Sequence, residues 1–164
     1  MAAVRQQRLD DAQQHLDALR PLAADTLMER LTVWDRYPLA YATRIAERTV
    51  TAELAAARGQ HAVAVAALEE AVAIEDGIPY DEPPGWHAPV RQTLGAVLLD
   101  AGRAADAERV YREELRRNPG NGWSLFGLAQ SLRAQDKSAE AKAAQAEFAT
   151  AWRNADVELV ASRM

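Results

Sequence analysis

The sequence predicts an all-α protein, organised as a right-handed α-solenoid of helix–turn–helix repeats. Composition is the first reason: hydrophobic residues make up 49% of the 164 residues, but aromatic residues only 6%. Much of the hydrophobic fraction is alanine, which is the best helix former and lets neighbouring helices approach closely. The second reason is an internal repeat with a period of 34 residues. A row of closely packed helix pairs fits both observations better than one large globular core.

The repeat is clearest between residues 88 and 154. A shift of 34 residues places Leu94 on Leu128, Gly95 on Ala129, Leu98 on Leu132, Gly102 on Asp136 and Ala107 on Ala141. Small residues at 95 and 107 let the two helices of a pair cross closely, and Gly102 favours a left-handed turn between them. Pro119 prevents the helix that ends near Arg117 from continuing. These features predict two repeats, over 88–121 and 122–154.

Two weaker copies precede them. A shift of 43 residues, which is one period plus nine, places Ala52, Ala55, Gly59, Ala64 and Leu68 on Gly95, Leu98, Gly102, Ala107 and Tyr111. A further shift of 52 residues, one period plus 18, places Ala12, Leu16 and Leu19 on Ala64, Leu68 and Ala71. Only the second helix of the first copy is complete. We therefore expect that the chain begins inside a repeat, as the C-terminal piece of a longer protein or as a natural short form.

The resulting segments, in chain order, are a partial repeat over 1–20, an extra helix or linker over 21–37, a degenerate repeat over 38–76, a proline-rich loop over 77–87, the two repeats above and a tail over 155–164. The expected helices span roughly 2–7, 9–20, 61–75, 89–101, 104–117, 122–134 and 138–154. Pro21 is expected in the first turn of a helix running to about Asp35, and Pro38 opens a helix to about Arg58. The tail is expected to run extended along the last helix.

One repeat contains a pattern of small, aromatic and turn residues: Leu94-Gly95, Gly102, Ala107, Tyr111 and Asn118-Pro119. This pattern resembles that of the tetratricopeptide repeat (TPR) superfamily, whose repeat length is 34 residues. Three further segments resemble the C-terminal region of longer bacterial TPR proteins of unassigned function: Tyr80–Trp86, Pro89–Arg91 and Asn121–Leu128. The resemblance implies a bacterial source and the solenoid fold, but no reaction. A cytoplasmic location is expected. The superfamily's clamp for peptide carboxylates needs lysine and asparagine on the inner face. The corresponding positions here hold neither, so a clamp of this kind is not expected.

Charge and composition exclude several classes of partner. The formal net charge is −5 and the isoelectric point about 5.2, which argues against nucleic acid and anionic lipid. No apolar run approaches 18 residues, so no membrane span is expected. The chain has no cysteine, so disulfides and thiolate metal sites are excluded.

The predicted inner groove is the first candidate site, because the first helix of each pair lines the concave face of such solenoids. Its expected residues are Glu53, Gln92, Leu99, Trp123, Phe126, Gln130 and Arg133. Aromatic and arginine side chains most often dominate binding energy at interfaces. The alternative is that Trp123 and Phe126 belong to the hydrophobic seam between repeats.

The proline-rich loop is the second candidate. It carries Tyr80, Asp81, Glu82, Trp86 and His87. Loops on a rigid scaffold often carry binding residues, but large rings also tuck under neighbouring helices and plug gaps. The acids and His87 raise the alternative of a metal or enzymatic site, although their spacing matches no known signature.

The sequence thus predicts a scaffold that binds a protein or peptide in its groove. We expect no catalytic residues, cofactor or bound metal. The alternative is a structural C-terminal cap of a longer TPR protein, or a module that self-associates into a homo-oligomer through its incomplete N-terminal repeat.

Overall fold

The computed structural model describes residues 1–163, and these form an all-helical protein with one short hairpin. The helices are α1 (Ala2–Arg5), α2 (Leu9–Ala24), α3 (Leu27–Arg30), α4 (Ala40–Ala57), α5 (His61–Asp76), α6 (Val90–Asp100), α7 (Ala104–Arg117), α8 (Gly122–Arg133) and α9 (Ser138–Ala151). Strands β1 (Thr32–Val33) and β2 (Tyr37–Pro38) pair antiparallel. The chain divides into two compact units, unit 1 (Met1–Val90) and unit 2 (Arg91–Met164).

Four turns between successive helices share one geometry. Their left-handed residues are Gln7, Gly59, Gly102 and Asp136, with φ between 59° and 73°. In each turn the next N–H reaches back to a carbonyl of the preceding helix: Arg8 to Ala3, Gln60 to Ala55, Arg103 to Leu98 and Lys137 to Leu132, at 2.8–3.0 Å. This 6→1 bond ends a helix with a tight reversal. The turns recur at the spacings of the sequence repeat, and the left-handed conformation expected at Gly102 is confirmed.

Unit 1 is built around small and aliphatic side chains where α2, α4 and α5 pack together. Its most deeply buried members include Leu16, Ile45, Ala52, Leu54, Ala64, Leu68 and Ala71. Helices α4 and α5 form an antiparallel pair, and α2 packs against α4. Alanine at 52, 64 and 71 lets these helices approach closely, as the composition suggests.

The helix predicted from Pro21 to about Asp35 is not formed. Helix α2 instead continues through Pro21 to Ala24, and Asp25 adopts an extended conformation (ψ 122°). The Asp25 carboxylate accepts the N–H of Leu27 at 2.8 Å, which starts the short helix α3. The β1–β2 hairpin follows, so Pro38 lies in a strand and α4 begins at Ala40. The helix that follows α2 is therefore capped at its N-terminus by Asp25, and Pro21 lies inside α2 instead of starting a helix.

Tyr111 forms the centre of unit 2, where its side chain is completely buried. Gly95 on α6 and Gly127 on α8 both lie against its ring, and a Cβ atom at either glycine would overlap the ring carbons. The close crossing predicted at Gly95 is therefore confirmed. Aliphatic side chains complete this core: Leu94, Val97, Leu98, Leu125, Leu128 and Leu132.

The C-terminal tail does not run extended along the last helix. Helix α9 ends at Ala151, and the tail then turns so that the Trp152 indole N–H donates to the Val157 carbonyl at 2.7 Å. Further along, the buried Ser162 hydroxyl donates to the Gln92 carbonyl at 3.1 Å, and Arg163 pairs with Asp100 at 2.8 Å. Polar groups on α6 thus fix the path of the tail.

The described part of the chain contains no helix whose length and hydropathy would let it cross a membrane.

Candidate functional site

Two of the predicted groove residues are engaged in internal contacts. Glu53 on α4 is 2% exposed, and its carboxylate lies 3.4 Å from the Arg5 guanidinium. Gln92 on α6 is also buried, and its side-chain amide donates to the Asn121 side chain at 3.0 Å. The same Asn121 oxygen accepts the N–H of Ser124 and caps α8. Glu53 and Gln92 therefore contribute to stability rather than to an open surface.

Trp123 and Phe126 belong to a four-membered aromatic cluster at the face shared by α8 and α9. The Trp123 and Trp152 rings meet edge to face, with centroids 5.6 Å apart. Phe126 lies 5.4 Å from Phe148, and Phe148 stacks on Trp152 at 5.8 Å. Offset-stacked and edge-to-face arrangements are those that aromatic quadrupoles favour. The rings are only partly buried, so the cluster packs the helix pair and also presents an aromatic surface.

Sequence reasoning missed Phe148 and Trp152. A signal was present, because residues four positions apart lie on one side of a helix, and Trp152 directly follows the last residue of α9. Gly122 marks the same contact from the other helix, since a Cβ atom there would overlap the Trp152 ring.

The aromatic cluster borders a cleft of about 510 Å³, which we call the aromatic cleft. It is lined by Phe126, Gln145, Phe148, Trp152 and tail residues 155–159. Of the remaining predicted groove residues, Leu99 and Gln130 are partly buried and Arg133 is exposed. The Arg133 guanidinium donates to the Gln145 side-chain oxygen. Arg133 therefore reaches the cleft through Gln145, while its own guanidinium lies outside the lining.

The charge of the aromatic cleft comes from its tail wall, which carries Asp156 and Glu158. Both side chains are exposed. The lining contains no lysine or arginine. The lining itself therefore carries two negative charges and three aromatic rings, a combination that favours a cationic group.

The proline-rich loop lies elsewhere, in unit 1, where it contacts the β1–β2 hairpin. Arg36 donates to the Tyr80 carbonyl at 2.9 Å and lies 3.4 Å from the Asp81 carboxylate. The Tyr37 ring is buried and lies so close to Gly85 that a Cβ atom there would overlap it. The two inserted segments that interrupt the 34-residue period therefore pack against each other.

The two aromatic residues of the loop, Tyr80 and Trp86, differ in how far they are buried. Tyr80 is 78% exposed, so its ring does not tuck under a helix. Its hydroxyl donates to Glu82, and this hydrogen bond is the main reason that the pKa of Tyr80 is raised. Trp86 is partly buried and lies against the His87 ring, with centroids 5.1 Å apart.

The loop does not gather its acids and His87 into a metal site. Within residues 1–163, no three or more acidic or histidine side chains come together so that they could hold a metal ion. Asp81 is instead occupied by Arg36, and Glu82 by the Tyr80 hydroxyl.

Comparison with protein-family models, with curated proteins and with solved structures finds no significant match to this chain.

Proposed function

We propose that this protein is a tetratricopeptide-like scaffold that binds a segment of another protein in the aromatic cleft of unit 2, without catalytic activity of its own. In this proposal the helix pairs are repeats of a right-handed α-solenoid. The observation that carries the proposal is the partly exposed cluster of Trp123, Phe126, Phe148 and Trp152 beside a cleft of about 510 Å³. Clefts of a few hundred Å³ with aromatic walls are typical ligand sites.

Binding would use the residues in different ways. Phe126 and Phe148 would contribute apolar contact area, which is the main source of affinity in such clefts. Arg133 extends from the last turn of α8 beside Gln145. It would orient an acidic group of the partner at that end, because guanidinium and carboxylate groups form charge-assisted hydrogen bonds.

The test compares partner capture by the intact chain and by two variants. The cleft variant carries Phe126→Ala and Phe148→Ala, and a second variant carries Trp123→Ala with Arg133→Glu. The control is Val63→Ala, a truncation of a half-exposed side chain on α5 of unit 1. Circular dichroism and urea unfolding establish that each variant is folded. Proteins captured from lysate are identified by mass spectrometry, purified and titrated against all four chains.

We expect that one purified partner binds the intact chain and the Val63→Ala control with equal affinity. The same partner should bind the cleft variant at least tenfold more weakly. Equal affinity for the folded cleft variant contradicts it.

A second candidate function is structural: a C-terminal cap of a longer TPR protein, or a self-associating module. A specific observation favours it. Unit 1 has an apolar hollow of about 360 Å³ where α1 and α2 meet α4, lined by Met1, Ala2, Ala3, Arg8, Ala12, His15, Leu19 and Val50. Covering such a surface with another helix pair or a second copy would remove apolar area from water.

Light scattering over a wide range of protein concentrations tests self-association. If the chain self-associates, we expect a dimer that dissociates on dilution. We expect the Leu19→Glu substitution to abolish this dimer. A monomer at all concentrations rules out the homo-oligomer.

A further inference from the structure

We infer that the aromatic cleft takes a positively charged side chain, so that the partner is a basic peptide segment with arginine or lysine at the position that enters the cleft. This inference rests on the proposed function and specifies the chemistry of its partner. Three features of the cleft carry it: the aromatic lining, the unpaired carboxylates and the anchoring of the tail.

Three aromatic rings line the cleft, those of Phe126, Phe148 and Trp152, and aromatic rings attract cations. Phe148 and Trp152 are nearly parallel, at 22°, and Phe126 is tilted 59° from Phe148. The face of an aromatic ring is the negative end of its quadrupole, and tryptophan attracts cations most strongly. An arginine guanidinium can in addition stack on such a face because it is planar.

The carboxylates of Asp156 and Glu158 are available for a ligand. Within residues 1–163 neither forms a hydrogen bond or an ion pair through its side chain. This distinguishes them from five of the other eight acids of unit 2, which pair with arginine or lysine: Asp100, Asp106, Glu108, Glu113 and Glu140. Two unpaired carboxylates on one wall of an aromatic cleft are the complement of a cationic side chain.

The tail holds these carboxylates at the cleft. The Trp152 indole N–H donates to the carbonyl of Val157, the residue between the two acids, at 2.7 Å. The next anchor is Leu159, whose side chain is 8% exposed. The acids therefore lie on a short segment fixed at two points, so little conformational entropy is lost when a ligand binds.

The nearby cations lie outside the lining of the cleft. Arg133 is engaged with Gln145 and is outside the lining, and Arg153 is exposed and also outside it. An acidic segment would have to place its charge beside two carboxylates, so it is disfavoured in the cleft itself.

The experiment uses three fluorescein-labelled ten-residue peptides, in which glycine alternates with arginine, glutamine or glutamate. Fluorescence anisotropy measures their affinity for the full chain at low ionic strength. The test variant is Asp156→Asn with Glu158→Gln. The control variant, Asp10→Asn with Glu69→Gln, makes the same change in net charge at exposed positions of unit 1. Chemical shifts of the Trp152 indole N–H show whether the peptide reaches the cleft.

The arginine peptide is expected to bind at least tenfold more tightly than the glutamine peptide and to shift the Trp152 indole signal. The test variant should weaken arginine-peptide binding about three- to tenfold, since each exposed ion pair contributes modestly. The control variant should leave it unchanged.

Equal weakening by both variants overturns the inference, because the attraction would then be non-specific. Equal binding of the arginine and glutamine peptides overturns it as well, as does the absence of binding. None of these results decides the proposed function, which the cleft variant tests with its own captured partner. If a captured partner needs Phe126 and Phe148 for binding and yet has no basic segment, the proposed function stands and this inference is refuted.

Discussion

The hydroxyl groups of Tyr111 and Ser162 share a hydrogen bond in the interior of unit 2, although 51 positions separate them in the sequence. The Ser162 hydroxyl also donates its hydrogen to the Gln92 carbonyl. Because a serine hydroxyl has only one hydrogen, Tyr111 must be the donor of the shared bond. Burial raises the pKa of Tyr111, which keeps the phenol in its donating form. This chain of bonds joins the tail to α7 and α6.

Removing Ser162 should therefore destabilise the protein more than removing the Tyr111 hydroxyl. Ser162→Ala leaves a buried Tyr111 hydroxyl without its acceptor, which lowers the free energy of unfolding by about 1–3 kcal/mol. Tyr111→Phe removes the donor itself and should lower it by only about 0.5–1.5 kcal/mol. Urea unfolding measures both values. Tyr80→Phe, which removes an exposed hydroxyl, is the matched control, and the reverse ranking would contradict the assigned bond direction.

The contact between Gly127 and the Tyr111 ring makes a second prediction. Gly127→Ala places a methyl group on that ring and should lower the free energy of unfolding by about 1–3 kcal/mol, despite the higher helix propensity of alanine. Tyr111→Leu alone leaves a cavity and is also destabilising. The double variant should lose less than the two single losses added together, since the smaller side chain makes room for the methyl group. Strict additivity in a double-mutant cycle would rule out the steric explanation.

The helices that carry the repeat could be predicted because their signals are local. The expected 104–117 coincides with α7, the expected 61–75 ends one residue before α5 does, and the expected 89–101 exceeds α6 by one residue at each end. The hairpin was missed because its turn residues, Trp34 and Asp35, both have positive φ without being glycine or asparagine. The path of the tail was missed because its partners, Gln92 and Tyr111, are 70 and 51 positions from Ser162.

The candidate site was predictable only in part. Helical periodicity identified Trp123 and Phe126 on α8, and both belong to the aromatic cluster. The same periodicity placed Glu53 and Gln92 on the inner face, but it cannot show that Arg5 and Asn121 occupy their side chains. The acidic wall of the cleft depends on where the tail folds, and that is set by contacts between residues distant in sequence.

The left-handed turn position of the last repeat makes a third prediction. Gly59 and Gly102 occupy this position in two earlier turns, whereas Asp136 adopts a φ of 59° with a side chain. Asp136→Gly should therefore raise the free energy of unfolding by about 0.5–1 kcal/mol, because glycine adopts this conformation without steric penalty. Thermal and urea unfolding measure the change. Ala139→Gly, at an exposed position within α9, should have the opposite sign. A loss of stability with Asp136→Gly would mean that the aspartate side chain itself stabilises the turn.

The ion pairs of Glu108 make the stability of unit 2 depend on pH. Hydrogen bonds from Lys137 and then from Arg112 and Gln135 lower the pKa of Glu108 to about 2, against the desolvation that acts in the opposite direction. The carboxylate contacts the Lys137 amine at 2.7 Å and the Arg112 guanidinium at 2.8 Å, and its side chain is 12% exposed. A carboxyl group whose pKa is lower in the folded state binds fewer protons there than in the unfolded chain. Its contribution is therefore complete above the unfolded pKa of about 4.5 and is lost as the pH falls towards 2.

Glu108→Gln should accordingly lower the free energy of unfolding by about 1–3 kcal/mol at pH 7, since it removes charged hydrogen bonds to a largely buried group. The difference from the unmodified chain should shrink between pH 4.5 and pH 2, because protonation then removes the same charge from the native residue. Urea unfolding at pH 7, 4 and 2.5 measures this convergence. Glu69→Gln, which neutralises an exposed carboxylate on α5, should change stability little at any of these pH values. If Glu108→Gln lowered the free energy of unfolding as much at pH 2.5 as at pH 7, the Glu108 side chain would stabilise the protein through packing. Its charge would then not be the source of the stabilisation.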